Sequence, residues 1–150
     1  MKNNQIISLE NKMVKYQNLI GIETKDNGDY FVSIGKSTLP WKYQEGMKDM
    51  VKQLGKELLL VRYSVYEKLR KIQQKLVKSN PNLSLFLTYG YRSEEIQINK
   101  FKQQLNSIAI ASYFASPVDL YEETHRFIAV PEVAGHPTGG AVDVLLVNIN

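Results

Sequence analysis

Val133-Ala134-Gly135-His136-Pro137-Thr138-Gly139-Gly140-Ala141-Val142-Asp143 sets a histidine and an aspartate seven positions apart across a turn of small residues. Gly139, Gly140 and Ala141 let the backbone bend tightly and enter a strand with no bulky side chain between the two polar groups. Residues Ala141 to Val147 then read as a strand, with Asp143 near its start on the face shared with Ala141 and Leu145. A hydrolytic zinc takes three protein ligands and keeps a fourth position for water, whose pKa it lowers toward neutrality. His136 and Asp143 could be two of those three. On spacing alone the plainer reading is favoured, a surface histidine in a Gly-rich turn and an aspartate that caps or salt-bridges.

Upstream, Leu83-Ser84-Leu85-Phe86-Leu87-Thr88-Tyr89 is apolar on both faces and reads as a central strand, left by Gly90-Tyr91-Arg92. Val65, Leu69, Ile72 and Leu76 recur at helical spacing from Ser64, which forms a capping-box match with Glu67; Asn80-Pro81 ends that helix. A second helix starts at Ser93-Glu94-Glu95, with Ile98, Phe101, Leu105 and Ile108 on one face. Ala111 to Glu132 has few periodic positions and is expected to be a loop, in which Glu122, Glu123 and Glu132 are solvated charges and His125 a loop residue near the site. Residues 1–55 form a weakly defined lead-in: a hairpin-like segment around Asn27-Gly28, a strand at Tyr30 to Ile34, and a short helix between Tyr43 and Leu54.

The chain has 150 residues, 43% of them hydrophobic, which is one domain's worth of core. Nineteen basic and 15 acidic side chains leave a net charge of +4, an excess that solvated lysine faces produce, so no nucleic-acid partner is expected. There is no cysteine, which excludes disulfides, a thiol nucleophile and thiolate metal sites, and fits a reducing cytoplasm. The first ten residues lack the apolar core of a signal peptide, and Leu58-Leu59-Leu60-Val61 is the longest aliphatic run, so neither export nor a membrane partner is implied.

His136-Pro-Thr-Gly139-Gly-Ala141-Val-Asp143 resembles the His-x-x-Gly-x-Ala-x-Asp signature of the zinc D-alanyl-D-alanine dipeptidases, and Gly90-Tyr91-Arg92 resembles their Gly-Tyr-Arg element at a strand end. The resemblance covers residues from about 60 to 150, with Arg62 and the helix from Ser64 to Val77 also similar to the family. It implies an α+β fold of the D,D-peptidase and hedgehog amino-domain type, an antiparallel sheet flanked by helices. It further implies that His136 and Asp143 are zinc ligands, that Arg92 stabilises the oxyanion of the tetrahedral intermediate, and that the substrate is the D-alanyl-D-alanine dipeptide of peptidoglycan metabolism. A fixed guanidinium suits that role because it is preorganised where negative charge develops.

Three departures qualify this expectation. The family carries a Glu-x-x-His element some tens of residues after the aspartate, its histidine the third ligand and its glutamate the general base; the present sequence ends seven residues after Asp143. The expectation is therefore a single domain over residues 1–150, incomplete at its carboxyl side and impaired in catalysis, with a separately encoded fragment as a possible partner. Ala134 stands where a serine is common, and Tyr89 where an acidic residue often precedes Gly-Tyr-Arg. Glu122-Glu123-Thr124-His125 has the Glu-x-x-His spacing but lies on the wrong side of the motif. The alternative is a non-catalytic module that binds a D-alanyl peptide or a protein partner.

Overall fold

The computed structural model describes residues 14–22, 28–43 and 49–149. Its elements follow in the order β1 (Phe31–Ser33), α1 (Asp49–Leu54), β2 (Leu60–Arg62), α2 (Tyr63–Ser79), β3 (Leu83–Tyr89), α3 (Glu94–Ala111), α4 (Pro117–His125) and β4 (Asp143–Asn148), with 3-10 turns at Tyr16–Asn18, Pro131–Val133 and His136–Thr138. β1 pairs with β2 and β3 with β4, both antiparallel, so the fold is α+β. The described chain gathers into two units. One is built on residues 28–99 and those from 134 onward, the other on residues up to 22 and from 100 to 133.

In the first unit β3 is central, as its two apolar faces imply. β4 lies along one edge, and on the other the Leu87 N–H donates to Pro40 O (3.0 Å) while the Lys42 N–H donates to Leu87 O (3.1 Å). Around it Ile34, Leu39, Trp41, Tyr43, Met50, Leu59, Val61, Leu69, Leu87 and Tyr89 form a buried core. The polar tips in that core are satisfied locally: Trp41 Nε1 donates to Ile34 O (2.6 Å) and the Tyr43 hydroxyl to Leu58 O (2.6 Å). Burial and the neighbouring Tyr89 raise the Tyr43 phenol to about 12, so it stays a donor.

Several sequence expectations are corrected here. The strand at Phe31–Ser33 pairs with Leu60–Arg62, three residues too short to carry a periodic signal. α2 begins at Tyr63, so Ser64 is not its cap. Instead the Ser64 N–H donates to Asp29 Oδ2 (2.9 Å); the Ser64 side chain first and this backbone bond second lower the Asp29 pKa, and a carboxylate is placed at the helix start. α1 is the described part of the helix expected between Tyr43 and Leu54; residues 44–48 and residues 25–27 of the Asn27-Gly28 turn lie outside the described residues. β4 starts at Asp143 rather than Ala141 and runs to Asn148. Val144, Leu145 and Leu146 on it are exposed, and among the described residues no strand pairs along its free edge.

The second unit contains the largest correction. Residues 111–132 are not a loop: α4 occupies Pro117–His125, and Tyr16, Phe101 and Val130 form a small core there. Ser116 caps α4, its Oγ accepting from the Asp119 N–H (3.2 Å) and donating to Asp119 Oδ2 (2.8 Å). Among the described residues no helix is long and apolar enough to cross a membrane.

Candidate functional site

The Gly-rich turn is held against the end of β3 by its own backbone. Gly139 has φ 72, a left-handed conformation open to glycine, and a Cβ there would sit 2.3 Å from the Phe31 ring. The Gly139 carbonyl accepts from the Arg62 N–H (3.0 Å), and Arg62 Nε donates to Thr138 O (2.8 Å). The guanidinium also bonds the Asp29 carbonyl and lies over the Phe31 ring. Arg62 is thus a clamp between β2 and the turn.

His136 is tied twice to the strand end. Its carbonyl accepts from the Arg92 N–H (3.3 Å), and its Nδ1 lies 2.8 Å from Gly90 O. A carbonyl only accepts, so Nδ1 carries the hydrogen and Nε2 is turned toward Asp143 Oδ1, 3.4 Å away. In neutral imidazole this sets a lone pair against a carboxylate oxygen, an arrangement that calls for a proton or a metal cation on Nε2. Asp143 is brought there by register, paired across the sheet with Tyr89. Its polar contact with His136 holds its carboxyl below the usual range against the opposing effect of burial, and the Arg92 guanidinium adds to the lowering.

Arg92 is 4% exposed, with its guanidinium 4.4 Å from the Tyr89 ring centre and its Nη1 donating to Gln97 Oε1 (2.9 Å). Among the described residues its buried Nε–H and the Tyr89 hydroxyl meet no partner in strict hydrogen-bond geometry, but the two side chains lie against each other and the guanidinium acts on the phenol as a hydrogen-bonding neighbour. Burial raises the Tyr89 pKa, with the nearby guanidinium pulling the other way, so the phenol stays neutral in the physiological range. The position expected to orient Arg92 is therefore filled from elsewhere. Tyr89 supplies a ring face, and Gln97, fully buried on α3, supplies the acceptor. Gln97 was not a candidate in the sequence, although it falls four residues before Phe101 and eight before Leu105, on the stripe that carries the apolar residues.

His136, Asp143 and Arg92 are thus brought together in the first unit, whereas Glu122 and His125 belong to the second. Among the described residues no group of three or more His, Cys, Asp or Glu side chains could hold a metal ion. His125 ends α4 and its Nδ1 accepts from the Val130 N–H (3.1 Å), closing the following turn. Glu122 is not a solvated charge: its Oε2 accepts from the Tyr16 N–H (3.4 Å), and its Oε1 is buried with no hydrogen-bond partner among the described residues.

Burial lowers the His125 pKa, with Glu122 acting in the opposite sense. Its stabilising contribution is then complete above the unfolded value of about 6.5 and is lost as pH falls through that value toward the folded one. Thermal denaturation between pH 7.5 and 5.5 should show a falling midpoint, and His125→Asn, which keeps an acceptor but cannot titrate, should flatten the dependence. An unchanged slope in that variant would remove His125 as its cause.

Comparison with family models, with curated proteins and with solved structures returned no match.

Proposed function

We propose that the chain carries two ligands and the oxyanion-stabilising cation of a zinc-dependent D-alanyl-D-alanine dipeptidase, cytoplasmic and acting in peptidoglycan metabolism. The observation that carries the reading is the 3.4 Å approach of His136 Nε2 to Asp143 Oδ1, with Nδ1 anchored on Gly90 O. Two ligands bonded to one tetrahedral zinc at 2.0–2.2 Å stand about 3.3–3.5 Å apart, so the pair has the edge length of such a site. A histidine whose second nitrogen is fixed by a backbone carbonyl is also the usual way a metal-ligating tautomer is set.

In this reading His136 Nε2 and Asp143 Oδ1 hold the metal, and Gly90 O keeps the imidazole in orientation. Zinc when bound would supply Lewis acidity and an acidified water. Arg92 follows Gly90 by two residues beyond the end of β3, where its charge would offset the negative charge that develops on a substrate carbonyl oxygen as the peptide bond is attacked. The D,D-peptidase type of fold and the substrate rest on the two sequence motifs. Two protein ligands alone hold zinc loosely. A third donor and a general base, in a Glu-x-x-His element, are what the motif resemblance implies.

The test is D-alanine release from D-alanyl-D-alanine by the chain with zinc, with and without a segment that carries this element. Release should be low for the chain alone, since a missing general base costs about 10²–10⁴-fold, and should rise when the segment is added. Asp143→Asn should abolish the rise. Turnover that survives Asp143→Asn would contradict the assignment. Zinc-independent binding of the dipeptide without release would favour a non-catalytic binding module.

A further inference from the structure

α2 carries five basic side chains and one acidic one. Lys68, Lys71, Lys75 and Lys78 follow one another at steps of three, four and three residues, which sets them in one row about 15 Å long on the helix. All four are exposed, and among the described residues none of them makes an ion pair. The other face of the helix is the one that packs, with Leu69 buried and Val65, Tyr66 and Leu76 against the core. The two nearby carboxylates are engaged elsewhere: Glu67 pairs with Arg70 (2.8 Å), and Asp29 accepts from the Ser64 N–H. Like charges at these spacings repel one another, so the row costs the helix stability that interleaved glutamates would restore. A net charge of +4 spread over 150 residues implies no polyanionic partner, but here as much charge stands on one helix face.

A run of aromatic groups flanks this row. Tyr30, just before β1, and Tyr63, the first residue of α2, are stacked with ring centres 5.1 Å apart and planes 15° from parallel. The Tyr63 N–H donates to Tyr30 O (2.9 Å), which fixes the pair through the backbone. Tyr66 follows at 6.4 Å from Tyr63, and the Arg70 guanidinium lies 5.7 Å from the Tyr66 ring centre. Tyr30 ends the run: it is 61% exposed, and among the described residues Tyr63 is its only ring neighbour. A ring left this open forgoes the burial by which aromatic side chains ordinarily stabilise a fold.

A row of ammonium groups suits a row of phosphates, and an open aromatic face suits a flat ring. A nucleic-acid strand with unpaired bases presents both together. We propose that the solvent face of α2, with Tyr30, binds single-stranded nucleic acid, the four lysines following the phosphates and Tyr30 receiving a base. A duplex keeps its bases stacked inside and offers the lysines alone a partner. An anionic bilayer would attract the same lysines, but it gives no role to two parallel rings, a stack that a base extends by one more layer. The proposal does not rest on the metal site.

The experiment is fluorescence anisotropy of a labelled oligouridylate of about 20 nucleotides titrated with the metal-free full chain over a range of salt concentrations. Four phosphate contacts at about 0.7 each should give a slope of log affinity against log salt near −3. Lys71→Gln combined with Lys75→Gln should roughly halve that slope. Tyr30→Ala should weaken binding at least about fivefold and leave the slope unchanged, and Tyr30→Phe should restore it. All three positions are exposed, so the thermal midpoints of these variants should stay near that of the parent chain.

Parallel titrations with heparin and with phosphatidylserine vesicles separate the alternatives. No saturable binding of the oligonucleotide at low salt would overturn the proposal. So would affinity that Tyr30→Ala leaves unchanged and that heparin matches, since the surface would then attract any polyanion. Binding to the vesicles with none to the oligonucleotide would overturn it in favour of a membrane contact.

Discussion

Gly90→Ala should cost about 3 kcal/mol or more and lower the thermal midpoint by roughly 10 °C. A Cβ at this position would lie 2.4 Å from the Leu60 carbonyl oxygen, with Leu59 Cδ2 at 3.0 Å and Val61 Cγ1 at 3.3 Å. The first of these is backbone in β2, so relief requires separating the end of β3 from β2. The Tyr91 N–H donates to that same Leu60 oxygen (2.6 Å), and the Gly90 carbonyl holds His136 Nδ1. The substitution should therefore loosen the fold and release the imidazole together. Differential scanning calorimetry gives the first effect, and a zinc titration of the folded fraction the second. A variant with the wild-type midpoint would show that the strands do not approach this closely.

His136→Ala should reduce zinc affinity by more than about 100-fold, beyond the 10–100-fold loss expected when a group that merely orients a ligand is removed. Asp143→Asn should fall in the same range, because the amide keeps the shape but not the charge. The two losses should be far from additive, since either change leaves one protein ligand. Isothermal titration with zinc on the two variants and the double variant measures this. Additive, small losses of a few-fold each would mean that the two side chains do not share an ion.

Where the sequence was legible, local signals and tertiary structure agreed. β3 was readable residue for residue because an apolar run is bounded by Asn80-Pro81 and Gly90, and α2 because Val65, Leu69 and Leu76 repeat at helical spacing. α4 was missed although its start is written in Ser116-Pro117-Val118-Asp119, a cap followed by proline in the first turn; its nine residues are too few for a convincing apolar stripe. Asp29 as the acceptor for the start of α2 had no local signal at all, being 35 positions from Ser64. The same applies to Arg62, whose role as a clamp on the turn depends on residues 76 positions away.

The candidate site divides in the same way. Spacing drew attention to His136 and Asp143 without favouring a site, and the motif resemblance added Arg92 and gave all three their roles. Their mutual distances depend on the β3–β4 register, which sets Tyr89 opposite Asp143, and on the turn that lays His136 against Gly90. Gln97 escaped notice because glutamine on a helix ordinarily faces water, yet its place on the apolar stripe was the available clue.

The chain contains two histidines, so long-range ¹H–¹⁵N NMR of the imidazoles during a zinc titration tests the central assignment with little ambiguity. His136 should hold its proton on Nδ1 throughout, while its Nε2 resonance moves saturably with zinc, and Asp143→Asn should weaken that movement by more than about 100-fold, as for affinity. His125 should stay unmoved. A His136 that carries its proton on Nε2, or whose Nε2 is indifferent to zinc while His125 responds, would contradict the proposed metal site.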